Sequence, residues 1–474
     1  MLVTPFGINY TTREILLEPL QDTELGQALL DAYASNRADL ADLGKAQRGA
    51  TARGEQQRAT RDLGDPRSAG WTVLLNQKDP NRAALLEAIQ PLAKQRGWNG
   101  EPLYYNGEKP YEWYDWVNNN YSPLNAERPF YILILGGPKQ TPFLFQSFLA
   151  TVAAVGRLDL DTPDDVRAYA EKIARFEKAD APLNKRQAIF FATNHGKNAQ
   201  GVYDPTYYSH YHLAAPLAQQ AQDTHKVPVK TLFAQDATKA NLAAALQDAQ
   251  PALVFTASHG LGAPNETLER QMLLNGALVC QDAPSADDDA WLFGAWDVPT
   301  KKAFLEGALF FQFACFGYGT PAQSDFAHWD ARVGRAVNAK QDFVAALPKK
   351  LLAHPRGPIG FVGHLDIALL HGFEDPNDPG TAQDPWHVRV SPFSNAMRLL
   401  LQVNPVGLAL RAMNERYNQL NQNLTTFFDK VQRREIKADA KLQSILVDTF
   451  LSRSDAQNYL IFGDPAAHAR LPDS

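Results

Sequence analysis

Cysteine is almost missing from this chain. Among 474 residues only Cys280 and Cys315 carry a thiol. Two cysteines cannot build a disulfide scaffold, and such sparing use fits a reducing compartment. Long apolar runs are missing as well: no uninterrupted stretch is long enough to span a bilayer. The opening residues, MLVTPFGINYTTREILLEPL, lack a basic region followed by an apolar core. The expected location is therefore the cytoplasm, with no membrane partner. Nor is there a surplus of positive charge. With 46 Lys and Arg against 52 Asp and Glu the net charge is −6, so nothing electrostatic calls for nucleic acid. The patterns GxSxG, HExxH and CxxC are absent. His210, His212, His354, His364, His371 and His387 show no zinc-ligand spacing. No metal and no cofactor are expected. The Lys139 and Thr141 that follow Gly136-Gly137-Pro138 stand at the wrong spacing for a phosphate loop.

What is there is ordinary globular composition, 45% hydrophobic and 21% charged. The length exceeds one ordinary core, so two units are expected, residues 1–180 and 181–474. Residues 40–68 form a polar, basic stretch broken by Gly44, Gly49, Gly54 and Gly64, read as a surface loop or a poorly ordered helix. Phe130 to Leu135 reads as a buried strand. Thr162-Pro163-Asp164-Asp165 reads as a helix start, with an N-cap, a proline at the first position and acids facing the helix dipole. Further strands are expected at residues 188–192, 229–233 and 359–362 and near Tyr459 to Phe462. Helices are expected between them, including one over residues 341–347. Strands alternating with helices predict an α/β fold, doubly wound, with mainly parallel sheets in two adjacent subdomains.

Two stretches carry the chemistry. Ala308 to Phe313 is an apolar strand that runs out at Ala314-Cys315, followed by the loop Phe316 to Pro321. Ala252 to Ser258 follows the same plan and runs out at His259-Gly260. Ligand crevices in open α/β sheets form beyond the carboxyl ends of strands. Two such strands deliver a thiol and an imidazole to one crevice. His259 could take the proton of Cys315 and return one to a leaving amine. Gly260, with no side chain, could bring its N–H to a developing oxyanion beside the N–H of Cys315. A lone cysteine after an apolar strand is most often a small buried hydrophobe. The matched placement of His259 is what lifts Cys315 above that reading. Cys280 lacks such a context and is taken as structural.

Ala257-Ser258-His259-Gly260 and Phe313-Ala314-Cys315 resemble the His-Gly and Ala-Cys signature of the clan CD cysteine peptidases, which include caspases and gingipains. Tyr131 to Gly137 resembles the gingipain "LLVGD" strand. Val155-Gly156-Arg157-Leu158 with Lys172 to Glu177 resembles its "GR…K…YE" segment, and Tyr459 to Pro465 its closing "LxGDP" strand. The resemblance implies a second subdomain that is caspase- and gingipain-like, with Cys315 as nucleophile and His259 as general acid/base. Gly260 and Cys315 would supply the oxyanion N–H groups. Gingipains orient the histidine with an acid on the loop after the strand matching residues 188–192. Here that loop reads Thr193-Asn194-His195-Gly196, leaving Asn194 and His195 as candidates for the orienting role. Asp204, further along, falls near the acid that lines the S1 pocket of basic-specific members, which would select Arg or Lys.

The expectation is a cytoplasmic cysteine-type endopeptidase acting on protein or peptide substrates. The alternative is a catalytically silent caspase-fold scaffold or binding module. An intracellular peptidase needs restraint, so a gate is expected, either the basic segment 40–68 or a regulatory partner protein.

Overall fold

The computed structural model describes residues 2–35, 47, 61–122, 125, 127–178, 180–181, 183–199, 201–247, 250–282, 290–326, 339–374, 389–437 and 439–472. A ten-stranded sheet forms its centre. In chain order its strands are β1 (Trp71–Asn76), β2 (Leu103–Tyr105), β3 (Tyr131–Leu135), β4 (Ala154–Leu158), β5 (Lys185–Ala192), β6 (Val229–Phe233), β7 (Pro251–Ala257), β8 (Leu309–Phe313), β9 (Gly360–His364) and β10 (Tyr459–Gly463). Across the sheet they lie in the order β2-β1-β3-β4-β10-β9-β8-β7-β5-β6. Neighbours pair in parallel throughout, except that β9 and β10 are antiparallel. The sheet is thus two parallel halves of opposite direction, and the last strand of the chain is the seam. This is the doubly wound, mainly parallel α/β class that the alternating pattern predicts.

Both faces of the first half are covered, because side chains alternate across a strand. Leu74, Ile132 and Ile134 pack with Trp113, Trp116, Phe145 and Phe148 on one face. Val73, Leu75, Leu133 and Leu135 pack with Leu85, Ile89, Leu92, Val166 and Ile173 on the other. That second face is closed by the helix Pro163–Phe176. It starts as its sequence dictates: the Thr162 hydroxyl oxygen accepts from the Asp165 N–H and the Asp165 carboxylate accepts from the Thr162 N–H.

The seam is held by charge as well as by the ladder. Asp464, just past β10, accepts from Trp71 Nε1 at 2.9 Å and from Arg96 Nε at 2.8 Å. Arg96 also reaches Glu177, and all three charged side chains are buried. Opposing, largest first, are the burial that lowers the Arg96 pKa and the charges of Asp464 and Glu177 that raise it, and the net direction is up.

Some expectations change. Residues 341–347 are not one helix: Phe343–Val344 pairs antiparallel with Gly319–Thr320, and a helix follows at Ala346–Ala353. The ladder that Phe343 and Val344 complete beside the Cys315 loop outweighs local helix preference. Strands β1 and β2 were not foreseen. Of the basic segment, residues 40–46 and 48–60 lie outside the described residues. Arg61 bonds the carbonyls of Ser68 and Arg128, and Arg67 that of Gln95. The described end of the segment, residues 61–68, is thereby tied to the first half of the sheet. No helix among the described residues is long and apolar enough to cross a membrane.

Candidate active site

The ladder between β7 and β8 sets the site. Ala257 stands opposite Phe313, in register. His259 and Cys315 each follow two residues later, so the same register brings them to the carboxyl ends of two adjacent parallel strands. Ser258 N–H donates to Phe313 O at 3.1 Å and prolongs the pairing past the strands. Beyond it the two backbones nearly touch. A Cβ on Gly260 would lie 1.9 Å from the Cys315 carbonyl oxygen. Only glycine fits there, and the reason is contact with the backbone of Cys315.

The imidazole of His259 is held on both nitrogens. Its Nδ1 accepts from the Gly7 N–H at 3.0 Å. Its Nε2 faces Asp204, 3.0 Å from Oδ1 and 3.1 Å from Oδ2. A backbone N–H can only donate, so Nδ1 carries the lone pair and Nε2 the hydrogen, which it donates to the carboxylate. Asp204 is itself fixed as the N-cap of the short helix Pro205–Tyr208: the Thr206 N–H donates to Oδ1 at 2.9 Å and the Thr206 hydroxyl donates to the same oxygen. Burial alone would raise the Asp204 carboxyl. The charge of His259, the hydrogen bonds of His259 and Thr206 and the charge of His195 outweigh it and hold the group well below the usual carboxylate range.

The structure places Asp204 against the imidazole of His259. Its carboxylate is engaged by His259 and Thr206. Asn194 and His195 do not hydrogen-bond His259. Asn194 Nδ2 lies 3.3 Å from His210 Nδ1. The His195 ring stacks on His259 at 5.8 Å between centroids. Burial, then the neighbouring His259, push the His195 pKa down to about 4, with Asp204 opposing. It is a neutral wall behind the imidazole. The loop can reach back from Asn194 to Asp204 because Asp204 N–H donates to Gly196 O at 2.8 Å.

Cys315 is fully buried. Its sulfur accepts from the Ala368 N–H at 3.1 Å. Burial pushes its thiol well up. The Ala368 N–H opposes this, the charge of Asp366 adds to it, and the N–H groups of Gly260 and Cys315 itself oppose it. The Ala368 N–H is the backbone donor seated on the sulfur, and burial outweighs it, so the net direction for the thiol is up. The turn after Cys315 is strained: Phe316 has φ +57 and Asp366 has φ +66, and Phe316 N–H donates to Asp366 O at 2.8 Å. Cys280 is buried too, with its sulfur 3.9 Å from Leu278 O. It stands apart from these donors. Among the described residues no group of three or more His, Cys, Asp or Glu is placed to hold a metal ion.

Sequence reading missed one part of the site altogether. Phe6 and Gly7 lie over the His259 and Cys315 side chains, and nothing in Thr4-Pro5-Phe6-Gly7 signals such a destination. No family model matches this chain, and no curated protein does. A solved structure called "Structure of Protease" is similar with a TM-score of 0.48 at 11% identity, over 84% of this chain and 78% of that one.

Proposed function

We propose that this chain is a cysteine-type endopeptidase with Cys315 as nucleophile, His259 as general acid/base and Asp204 as the group that orients His259. The observation that carries this reading is the shared register of His259 and Cys315, with Asp204 on the far nitrogen of the ring. In the reaction, the Cys315 S–H proton passes to His259 Nδ1. The thiolate attacks the peptide carbonyl carbon, forming a C–S bond. The oxygen gains negative charge and is held by the N–H groups of Gly260 and Cys315. His259 returns the proton to the nitrogen, the C–N bond breaks and a thioester remains. Water then attacks, His259 taking its proton. The C–S bond breaks, and the acid leaves with the thiol restored. Asp204 keeps the ring in the required tautomer and stabilises its cationic form. Two free, buried cysteines fit a reducing compartment such as the cytoplasm.

One observation favours the scaffold reading: Cys315 is sealed from solvent in this conformation. The test separates the two. Wild type, Cys280→Ala, Cys315→Ala and His259→Ala are incubated for hours with peptidyl acyloxymethyl ketones of varied sequence and read by intact mass. Adduct on the first two alone is expected. Equal labelling of all four, or of none even after residues 2–21 are loosened, would exclude the peptidase.

A further inference from the structure

The N-terminal segment reaches Cys315 and His259 in an extended conformation, bonded on both sides. Leu2–Val3 pairs antiparallel with Leu20–Gln21, closing a strap. On one side of the cleft, Pro5 bridges Leu369 in antiparallel fashion and Phe6 N–H donates to Ala368 O at 3.0 Å. On the other, Ile8–Asn9 pairs in parallel with Leu261–Gly262, and Ile8 N–H donates to Gly260 O at 3.1 Å. These anchors belong to the segments that follow β7 and β9 on either side of Cys315. A peptide added to strand edges in this way binds through its main chain and is selected through its side chains.

The Phe6–Gly7 peptide bond sits at the chemistry. Its nitrogen is the Gly7 N, 3.0 Å from His259 Nδ1. In peptide cleavage that ring atom must protonate the departing amine. Gly7 also lies beside the sulfur, with no room for a side chain: a Cβ at its φ of +105° would stand 3.3 Å from Cys315 Sγ and 2.7 Å from Leu16 Cδ1. Gly7 is what lets the strap pass between the two. The Phe6 side chain is wholly buried, with its ring 5.6 Å from His259, 5.2 Å from Phe313 and 6.5 Å from Phe373. The rings that surround the Phe6 side chain beside this peptide bond are thus aromatic.

We propose that residues 5–10 fill the substrate cleft in the manner of a substrate, holding the site latent, and that the chains this site accepts carry a large aromatic side chain in the Phe6 position, immediately before the bond presented to Cys315. This rests on the peptidase reading above for the cutting step, though not for the occlusion. The gate so described is seated on the dyad itself.

The test uses the full chain with Cys280→Ala, so that Cys315 is the one thiol. Alkylation of Cys315 by iodoacetamide, read by intact mass, is compared with Gly7→Val and Phe6→Ser in the same background, with near-ultraviolet circular dichroism confirming a folded core. Valine at a positive φ against Cys315 and Leu16 cannot stay in the cleft, and serine removes the anchor by a different route. Alkylation faster by about tenfold or more in either folded variant is expected, as local opening becomes easier. A parent as reactive as both variants would overturn the proposal, and so would folded variants no more reactive than the parent. The second arm adds the capped peptide LVTPFGINY, or its Phe→Arg version, to the Gly7→Val protein. Cleavage after Phe supports both readings. Protection of Cys315 from alkylation by the Phe peptide without cleavage supports the cleft assignment while removing the peptidase. Equal protection or cleavage with the Arg peptide overturns the aromatic pocket.

Discussion

Asp204 offers both carboxylate oxygens to His259 Nε2, at 3.0 and 3.1 Å, from a position fixed as a helix N-cap. The geometry resembles the orienting acid of a nucleophile–imidazole–carboxylate triad more than an isolated salt bridge. Asn at position 204 could still cap the helix through its amide oxygen. It could not both accept from Nε2–H and stabilise the imidazolium. On the proposed peptidase reading, Asp204→Asn is expected to lower kcat by about 10²–10⁴-fold with KM little changed, as removal of an orienting acid does. Steady-state kinetics on the strap-loosened protein, alongside Asp204→Glu, is the check. A variant as active as its parent would show that the carboxylate serves only the fold.

Gly260 carries a different constraint from the one its sequence context suggests. A methyl there would meet the carbonyl oxygen, nitrogen and carbonyl carbon of Cys315 at 1.9, 2.6 and 2.7 Å. None of these is the movable end of a side chain. Gly260→Ala must push the two strand ends apart, at a cost of about 1–3 kcal/mol or more. The same displacement would move the Gly260 and Cys315 backbones, whose N–H groups the proposed mechanism uses. Loss of stability in urea together with loss of Cys315 labelling is expected. A variant of unchanged stability and reactivity would mean that the close approach is not required.

Much of this was legible before any coordinates. The apolar runs ending at His259 and Cys315 stated their own register, because adjacent parallel strands place equal offsets side by side. The Thr162-Pro163 cap and the runs at residues 130–135 and 459–462 were equally local signals. What was not legible is what depends on contacts far apart in sequence. Phe6 and Gly7 reach partners more than 250 residues away, and no local pattern records that. Asp204 was singled out, but its contact with His259 was not foreseen. Asp-Pro-Thr reads as a cap in any protein, and only the fold of residues 193–206 turns its carboxylate to the imidazole. Strand β2, with three residues, is too short to show a period.

The seam between the halves makes a prediction about stability. Arg96 is buried between Asp464 and Glu177, with bonds of 2.5 to 2.8 Å. Arg96→Met fills a similar volume but leaves two buried carboxylates facing each other. Breaking such a set by removing one partner costs about 3–5 kcal/mol. Urea unfolding should show that loss. Arg96→Met combined with Asp464→Asn and Glu177→Gln should recover part of it, since the stranded charges are then gone. No loss in the single variant would mean that the ladder of β10 alone holds the seam.

Asp366 gives the clearest dependence on pH. Its side chain is buried; Oδ2 accepts from the Ser324 hydroxyl at 2.6 Å and from the Asp325 N–H at 3.1 Å, while Oδ1 has no hydrogen-bond partner among the described residues. Burial raises its pKa from 3.8 to about 6, the Ser324 hydrogen bond opposing and the charge of Asp325 adding. The folded protein therefore holds this proton more tightly than the unfolded chain does. The corresponding stability is fully present below about pH 4 and is lost as pH rises through about 6, a span worth about 3 kcal/mol. Asp366→Asn removes the titration while keeping an acceptor for Ser324, and asparagine tolerates the φ of +66° at this position. Urea unfolding of wild type between pH 4.5 and 7.5 should show the decline, and the variant should lack that component. Ionised Asp366 also helps to hold the Cys315 thiol up. In the strap-loosened background the variant should therefore alkylate faster than its parent at pH 7.5, with the two converging near pH 5. Identical pH dependence of stability in both proteins would show that Asp366 does not carry its proton into the folded state.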